Sequence, residues 1–199
     1  MDERDDMASS ADKMTDAELM QRVSAGEHSA MQILVERYQN IVYSTVARML
    51  NNSPETDDIA QQVFINVWKA AKSFNPESSF STWMFTILKN LVFNELRRQK
   101  RKPIVFAEEV DENTSGDDVF IEATLSPDSA AEYSELETAV NEAIAQLEPD
   151  ARLAIQLRRF QNMSYEDIAE TLGKSVSATK SLIFRARNEL KVSLSRFLS

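Results

Sequence analysis

The sequence has no cysteine, which excludes disulfides and cysteine-ligated zinc and fits a reducing cytoplasm. His28 is the single histidine. A histidine-cluster metal site or a Ser-His-Asp triad has little to build on, and His28 itself is expected in a core or surface role. Glycine is scarce, at Gly26, Gly116 and Gly173 only, and no nucleotide-cradling glycine loop can be drawn from these. No alternating strand pattern of useful length occurs. No apolar run approaches the roughly 18 residues of a membrane span. The N-terminus begins with Asp2, Glu3, Asp5 and Asp6 instead of the basic start and apolar stretch of a secretory signal. These absences leave no catalytic, cofactor or metal site to assign, so neither an enzyme nor a cofactor is expected.

What is present is an uneven charge. The chain of 199 residues has a formal net charge of -10, with 43% hydrophobic residues, enough for ordinary globular cores. Residues 104–150 carry 14 acidic groups and no basic one, and residues 1–20 are net -5. The blocks between and after them are basic: residues 21–103 are net +4 and residues 151–199 net +5. Acid confined to a tail and a middle segment leaves two basic blocks free for a polyanion, and this distribution is a better guide to nucleic-acid binding than the overall pI.

The periodicity predicts an all-α protein of two small helical domains. Leu19, Val23, Met31, Leu34, Val35, Tyr38, Val42, Val46 and Leu50 recur at helical spacing. Thr15 and Glu18 make a capping box, Gly26 breaks the run, and Asn51-Asn52-Ser53-Pro54 is a turn. A helix is expected over 57–72, a loop over 73–79, and a long helix from 80 or 81 to about 102, stopped by Pro103. Residues 104–130 lose the periodicity and read as an acidic interdomain linker. Helical pattern resumes around Ala130, followed by helices over 150–160, 165–172 and 176 to about 198. The expected organisation is an acidic tail (1–14), a first domain (15–103), the linker (104–130) and a second domain (131–199).

The sharpest local signal is Ser164-Tyr165-Glu166-Asp167-Ile168-Ala169-Glu170-Thr171-Leu172-Gly173-Lys174-Ser175. Ser164 and Asp167 form a capping pair, Ile168, Ala169 and Leu172 an inner face, Gly173 a left-handed stop and Ser175 the next cap. Helix, tight glycine turn and helix make a helix-turn-helix. On the second helix Val176, Thr179, Ile183, Ala186 and Leu190 face inward. Ser177, Lys180, Ser181, Phe184, Arg187 and Lys191 lie outward, with Arg185 beside them. A large aromatic among cations suits DNA reading: the cations reach phosphate and guanine, and Phe184 can pack on a thymine methyl or sugar. A solvated basic face with Phe184 tucked against a neighbour is the plainer alternative.

The first domain has its own constellation. Asp57, Asp58, Gln61, Gln62 and Asn66 share a polar helix side. Phe80-Ser81-Thr82-Trp83-Met84-Phe85 follows, then Lys89, Asn90, Asn94 and the run Arg97-Arg98-Gln99-Lys100-Arg101-Lys102. Aromatics followed by a basic helix end suit a surface that holds DNA and stacks on exposed bases. Alternatively the aromatics are core, Phe85 more readily than Trp83.

Taken together these motifs resemble the bacterial sigma factors of the extracytoplasmic-function (ECF) group, which keep only regions 2 and 4. The resemblance covers roughly residues 15–103 and 130–199, with the motifs in the family's order and spacing. It implies that Asp57, Asp58, Gln61, Gln62 and Asn66 dock on core RNA polymerase. It implies that the loop Ser73, Phe74, Asn75, Pro76, Glu77, Ser78 and Ser79 captures a base flipped from the -10 element, at an unstacking cost of a few kcal/mol. Phe80 and Trp83 would support melting by stacking or by shaping that pocket, and Lys89, Asn90, Asn94, Arg97 and Arg98 would hold the DNA backbone. Ser177, Lys180, Ser181, Phe184, Arg185 and Arg187 would read the -35 element. The linker would thread the basic RNA channel of polymerase, or serve as a plain spacer. The resemblance further implies an anti-sigma factor, possibly membrane-bound, as a partner, and a cytoplasmic protein without small-molecule substrate.

Lys180, Leu182, Ala178, Thr179 and Lys89 depart from the family's common residues at these places. Lysine lacks the bidentate fork of arginine, so no promoter sequence is inferred. Two other readings compete. A helix-turn-helix regulator binding an operator as a dimer explains residues 150–199 but leaves 57–102 unused. A sigma scaffold turned to sequestration leaves the intact Phe80–Trp83 and recognition-helix motifs without purpose.

Overall fold

The computed structural model describes residues 14–101 and 127–197. The acidic tail and nearly all of the expected linker lie outside the described residues. Eight α-helices and no strand occur among those described: α1 (Asp16–Ser24), α2 (His28–Leu50), α3 (Thr56–Ala70), α4 (Phe80–Arg101), α5 (Pro127–Gln146), α6 (Pro149–Phe160), α7 (Tyr165–Leu172) and α8 (Val176–Ser193).

Local chemistry sets most of the boundaries. The Thr15 hydroxyl accepts from the Glu18 amide while the Glu18 carboxylate accepts from the Thr15 amide at 2.7 Å, closing the expected box. Gly26, at φ +94°, turns the chain between α1 and α2. Asn51 and Asn52 both adopt positive φ at the end of α2, a conformation asparagine tolerates better than most residues. Ser164 caps α7, Gly173 at φ +68° ends it, and Ser175 caps α8.

Three boundaries differ from expectation. Helix α3 stops at Ala70, and the chain tightens into a 3-10 turn over Ala71–Ser73, as last helical turns often do. Helix α5 begins at Pro127 instead of near Ala130, because proline's missing N–H is no loss in a first turn. Helix α8 ends at Ser193, followed by a 3-10 turn at Ser195–Phe197, so the helix expected to about residue 198 is shorter. Helical spacing in the sequence continues past the last regular turn and does not mark it.

The first domain packs α1 to α4 around Leu19, Leu34, Val42, Val46, Met49, Val63, Val67, Phe85, Leu88 and Val92. The second packs α6, α7 and α8 around Leu153, Leu157, Ile168, Leu172, Ile183 and Ala186. Seven consecutive residues of α6, Ala151 to Leu157, are buried. A helix is covered all round only if something lies on each side of it. Here α7 and α8 cover one side and α2 of the first domain contacts another, so the buried cluster runs unbroken through both domains.

One ion-pair group ties α4 back to the start of α3. Arg98 reaches Glu95 at 2.6 Å and Glu55 at 2.8 Å. The hydrogen bond to Arg98 lowers the Glu95 carboxyl pKa against the opposing effect of burial. Glu55 is lowered first by its bond from Ser53, then by a backbone hydrogen bond, and to a smaller extent by Arg98. A carboxylate whose folded pKa is depressed contributes stability above its unfolded value, near 4.5, and that contribution is lost as pH falls through the depressed folded value.

Two outcomes follow. Gly173→Ala destabilises by about 1–2 kcal/mol in urea unfolding, because a Cβ there meets nothing within 4 Å yet the left-handed backbone remains strained; Gly173→Asn costs less. In unfolding followed from pH 7 to pH 3, Glu95→Gln flattens the loss of stability below about pH 4.5 relative to the parent chain.

Candidate nucleic-acid and polymerase interface

The polar side of α3 is built as a face. Its apolar residues Ala60, Val63 and Val67 point into the core, which turns Asp57, Asp58 and Gln61 outward as exposed residues. Gln62 and Asn66, one helical turn apart, are half-buried and joined by a 2.9 Å hydrogen bond. Ile65, 39% exposed, adds an apolar patch to the same helix that the polar pattern did not single out. Trp68 stacks against His28 with ring centroids 4.7 Å apart, which gives the lone histidine a surface packing role.

The loop after α3 is held by its own backbone and side chains. The Asn75 side-chain oxygen accepts from the Glu77 amide at 3.1 Å, and the Ser78 amide donates to the Asn75 carbonyl at 2.9 Å. The Ser73 hydroxyl donates to the Ala70 carbonyl, and Ser79 and Ser81 share a hydroxyl bond of 2.8 Å. Ser73, Asn75, Pro76, Glu77 and Ser79 are exposed, and Ser78 is half-buried.

Beneath the loop lies an aromatic floor. Phe74 meets Trp83 edge-on at 5.3 Å and Phe80 at 6.1 Å, and Tyr38 meets Phe80 at 5.1 Å. Phe80 is 4% exposed and Phe85 1%, whereas Trp83 is half-buried. At this burial the Phe80 ring has almost no face open to a visiting group. Asp16 of α1 fixes Tyr38, accepting its hydroxyl proton as well as a 2.9 Å bond from Arg37. Burial first, and then this bond, raises the Tyr38 pKa far above the ordinary phenol value and keeps the ring neutral.

The basic residues of α4 do not share one surface. Asn90, Asn94, Arg97 and Arg98 are exposed. Arg97 also bonds to the Phe93 carbonyl of its own helix at 3.2 Å, and Arg98 is engaged by Glu95 and Glu55. Lys89 stands apart: its ammonium donates to the Thr171 carbonyl of α7 at 2.7 Å, and desolvation lowers its pKa.

In the second domain the buried Thr179, Ile183 and Ala186 fix the rotation of α8, so Ser177, Lys180, Ser181, Phe184, Arg185 and Arg187 all face solvent. Phe184 is 65% exposed. Its ring is not tucked against a neighbour. A groove of about 500 Å³ runs beside it, lined by Tyr165, Lys180, Ser181, Ile183, Phe184, Arg185 and Arg187. Sequence reasoning missed Tyr165 as a site residue. The structure brackets its ring with the Arg158 guanidinium at 5.0 Å and the Lys180 ammonium at 5.5 Å. The available signal was an aromatic at the first position of a helix that turns directly into the recognition helix.

Among the described residues no group of histidine, aspartate and glutamate side chains could hold a metal ion, and no helix is long and apolar enough to cross a membrane.

The comparisons with known proteins match the chain in two regions. Residues 34–102 match the family model for Sigma-70 region 2, and residues 137–190 match that for Sigma-70, region 4. The RNA polymerase sigma-H factor of Pseudomonas aeruginosa is 35% identical over 186 residues, covering 92% of this chain and 95% of its own. The ECF RNA polymerase sigma-E factor of Haemophilus influenzae is 35% identical over 184 residues, covering 91% and 96%. Among solved structures, the fold resembles CnrH in its complex with the cytosolic domain of CnrY, with TM-score 0.65, 24% identity and coverage of 91% of this chain and 97% of that one. It also resembles the sigma factor RpoE of Bartonella quintana in complex with the anti-sigma factor NepR, with TM-score 0.64, 24% identity and coverage of 82% and 96%. A helix-turn-helix with an exposed basic and aromatic face, an aromatic-floored loop ahead of a basic helix, and two matched regions in one chain have a single common explanation: this chain belongs to the sigma-70 family of RNA polymerase sigma factors, in its extracytoplasmic-function group.

Proposed function

We propose that the protein is a promoter-specificity factor: it binds core RNA polymerase, brings it to promoters with a particular pair of elements, and opens the -10 element. The observation that carries this is the pairing, in one chain, of matches to region 2 and region 4 with a relative 35% identical along nearly its full length. An operator-binding regulator would need only α6 to α8, and the face of α3 and the loop above the aromatic floor would have no use.

The residue roles follow from exposure and chemistry. Asp57, Asp58, Gln61, Gln62 and Asn66 form the polymerase-facing side of α3, with Ile65 as an apolar contact within it. The loop Ser73–Ser79 supplies backbone groups and hydroxyls for an unstacked base, with Trp83 at its rim and Phe80 as its floor. Asn90, Asn94 and Arg97 hold the DNA backbone, with Arg98 beside them once its carboxylate partners are outcompeted. On α8, Lys180, Arg185 and Arg187 supply positive charge, Ser177 and Ser181 hydrogen bonds, and Phe184 an apolar contact. The chain catalyses nothing itself; nucleotide chemistry belongs to polymerase. The factor acts in the cytoplasm. Since the solved relatives CnrH and RpoE are each described in complex with a partner, an anti-sigma factor is the proposed regulator.

The deciding experiment is run-off transcription by core polymerase over genomic fragments, with and without this protein. New discrete starts sharing one -10 and -35 pair are expected; absence of both core binding and new starts returns the operator-binding regulator to the lead. Within the site, Arg185→Ala should weaken binding to the identified promoter and reduce the slope of log affinity against log salt by about one. Phe184→Ala should weaken it without changing that slope, because an apolar contact releases no counterion.

A further inference from the structure

Three helices of the protein end on one cavity. Helix α2 brings Ala47, Arg48 and the two residues beyond its last turn, Asn51 and Asn52. Helix α5 brings its last turn, Ala143 to Gln146, and α8 brings Ser193 with the following Leu194. The cavity holds about 710 Å³, within the range of sites that take small molecules. Its floor is apolar, with Ala47, Ala139 and Ile144 buried. Its rim is polar: Asn51, Asn52, Asn141, Gln146 and Ser193 are all exposed. None of these residues belongs to the surfaces assigned to polymerase or to DNA.

Electrostatics select the sign of a ligand here. Each helix C-terminus leaves its last carbonyls without intrahelical partners and carries roughly half a negative charge. Three such ends around one cavity favour a cation. The protein itself supplies a precedent at two of them. Arg152 of α6, 8% exposed, donates to the Met49 carbonyl in the last turn of α2 at 2.8 Å. It also donates to the Ala145 and Leu147 carbonyls at the end of α5. Arg152 meets these ends from the core and does not line the cavity. Among the lining residues Glu142 is the one carboxylate, and it is exposed. Arg48 is the one lining cation, and its guanidinium lies over the Phe160 ring at 4.3 Å, a favourable seat for it. The four rim amides add oxygens that accept from N–H donors.

Size and chemistry narrow the cation further. A bare metal ion collects carboxylate or imidazole ligands at short range, and no such group of side chains occurs among the described residues. A ligand that fits this cavity has an apolar body for the floor and several separated N–H donors for the rim. We propose that the cavity binds a linear aliphatic oligoamine. Its methylenes lie along Ala47, Ala139 and Ile144, and its ammonium groups meet the ends of α2, α5 and α8. Such a ligand binds the folded chain and not the unfolded one, so it adds to stability. The proposal does not rest on the sigma-factor reading.

The acidic tail and linker attract any polyamine, so the test must separate the cavity from them. Spermidine is titrated into the full chain and followed by calorimetry and by the side-chain amide signals of Asn51, Asn52, Asn141 and Gln146 in heteronuclear NMR. Saturable shifts at these four amides are expected, with affinity falling from spermidine to 1,4-diaminobutane to butylamine. Butane-1,4-diol, succinate, and magnesium chloride at matched ionic strength should leave them in place. Glu142→Gln should weaken binding by about threefold, the loss of one exposed ion pair. Ser193→Lys plants a tethered ammonium at the rim and should weaken binding by about tenfold or more. A cation at a helix C-terminus is itself favourable, so helical circular dichroism should be retained in that variant. Spermidine that moves only signals of the acidic tail and linker overturns the proposal. Amide shifts that persist unchanged in Ser193→Lys overturn it too, as does a preference for succinate, which would make this an anion site.

Discussion

Helix α4 must satisfy three neighbours with one circumference. Phe85, Leu88 and Val92 are committed to the core of the first domain, Trp83 to the aromatic floor under the Ser73–Ser79 loop, and Thr82 and Lys89 to α7. A helix has about 3.6 residues per turn, so little surface is left over. Asn90, Asn94, Arg97, Arg98, Lys100 and Arg101 occupy what remains. Core packing therefore dictates where the basic residues point. A change at Leu88 or Val92 that rotated the helix would move these exposed side chains as a set.

Most of the fold was legible because its signals are local. The Thr15–Glu18 box, the Ser164 and Ser175 caps and the Gly173 stop each act within one turn of chain, and all form as their residues imply. The inward set Thr179, Ile183 and Ala186 needed only helical periodicity, and it fixes the exposure of the recognition face. What sequence could not convey is what packs against what at long separation. Lys89 reads as a cation at a helix surface, and nothing near it in sequence announces a carbonyl 82 positions away. Arg152 reads as one of three arginines on a basic helix, yet it is buried among carbonyls while Arg159 is exposed. Phe80 shows the same limit from the other side: its motif offers two aromatics, but only packing distinguishes the buried Phe80 from the half-buried Trp83.

The charge segregation gains a physical meaning from this arrangement. Two basic surfaces held close together repel one another and attract the same polyanion. Lys174 is paired with Asp150 at 2.8 Å, and Asp150 also acts favourably on Lys89, so acid at the start of α6 moderates cations from both domains. The excess acid lies in residues 1–20 and 104–150, which is why the total charge of -10 is a poor summary of the molecule.

The aromatic floor has an optical consequence. Trp68 and Trp83 are the two tryptophans of the chain. Trp68 sits on the helix assigned to polymerase, with its ring against His28, and Trp83 sits against Phe74 in the loop assigned to an unstacked base. Each indole is half-buried, so each emits from an environment that a visitor to its own surface must alter. The molecule thus carries two native fluorophores, one beside each of the two surfaces proposed for its partners. Replacing either by phenylalanine would isolate the other's signal without attaching any label.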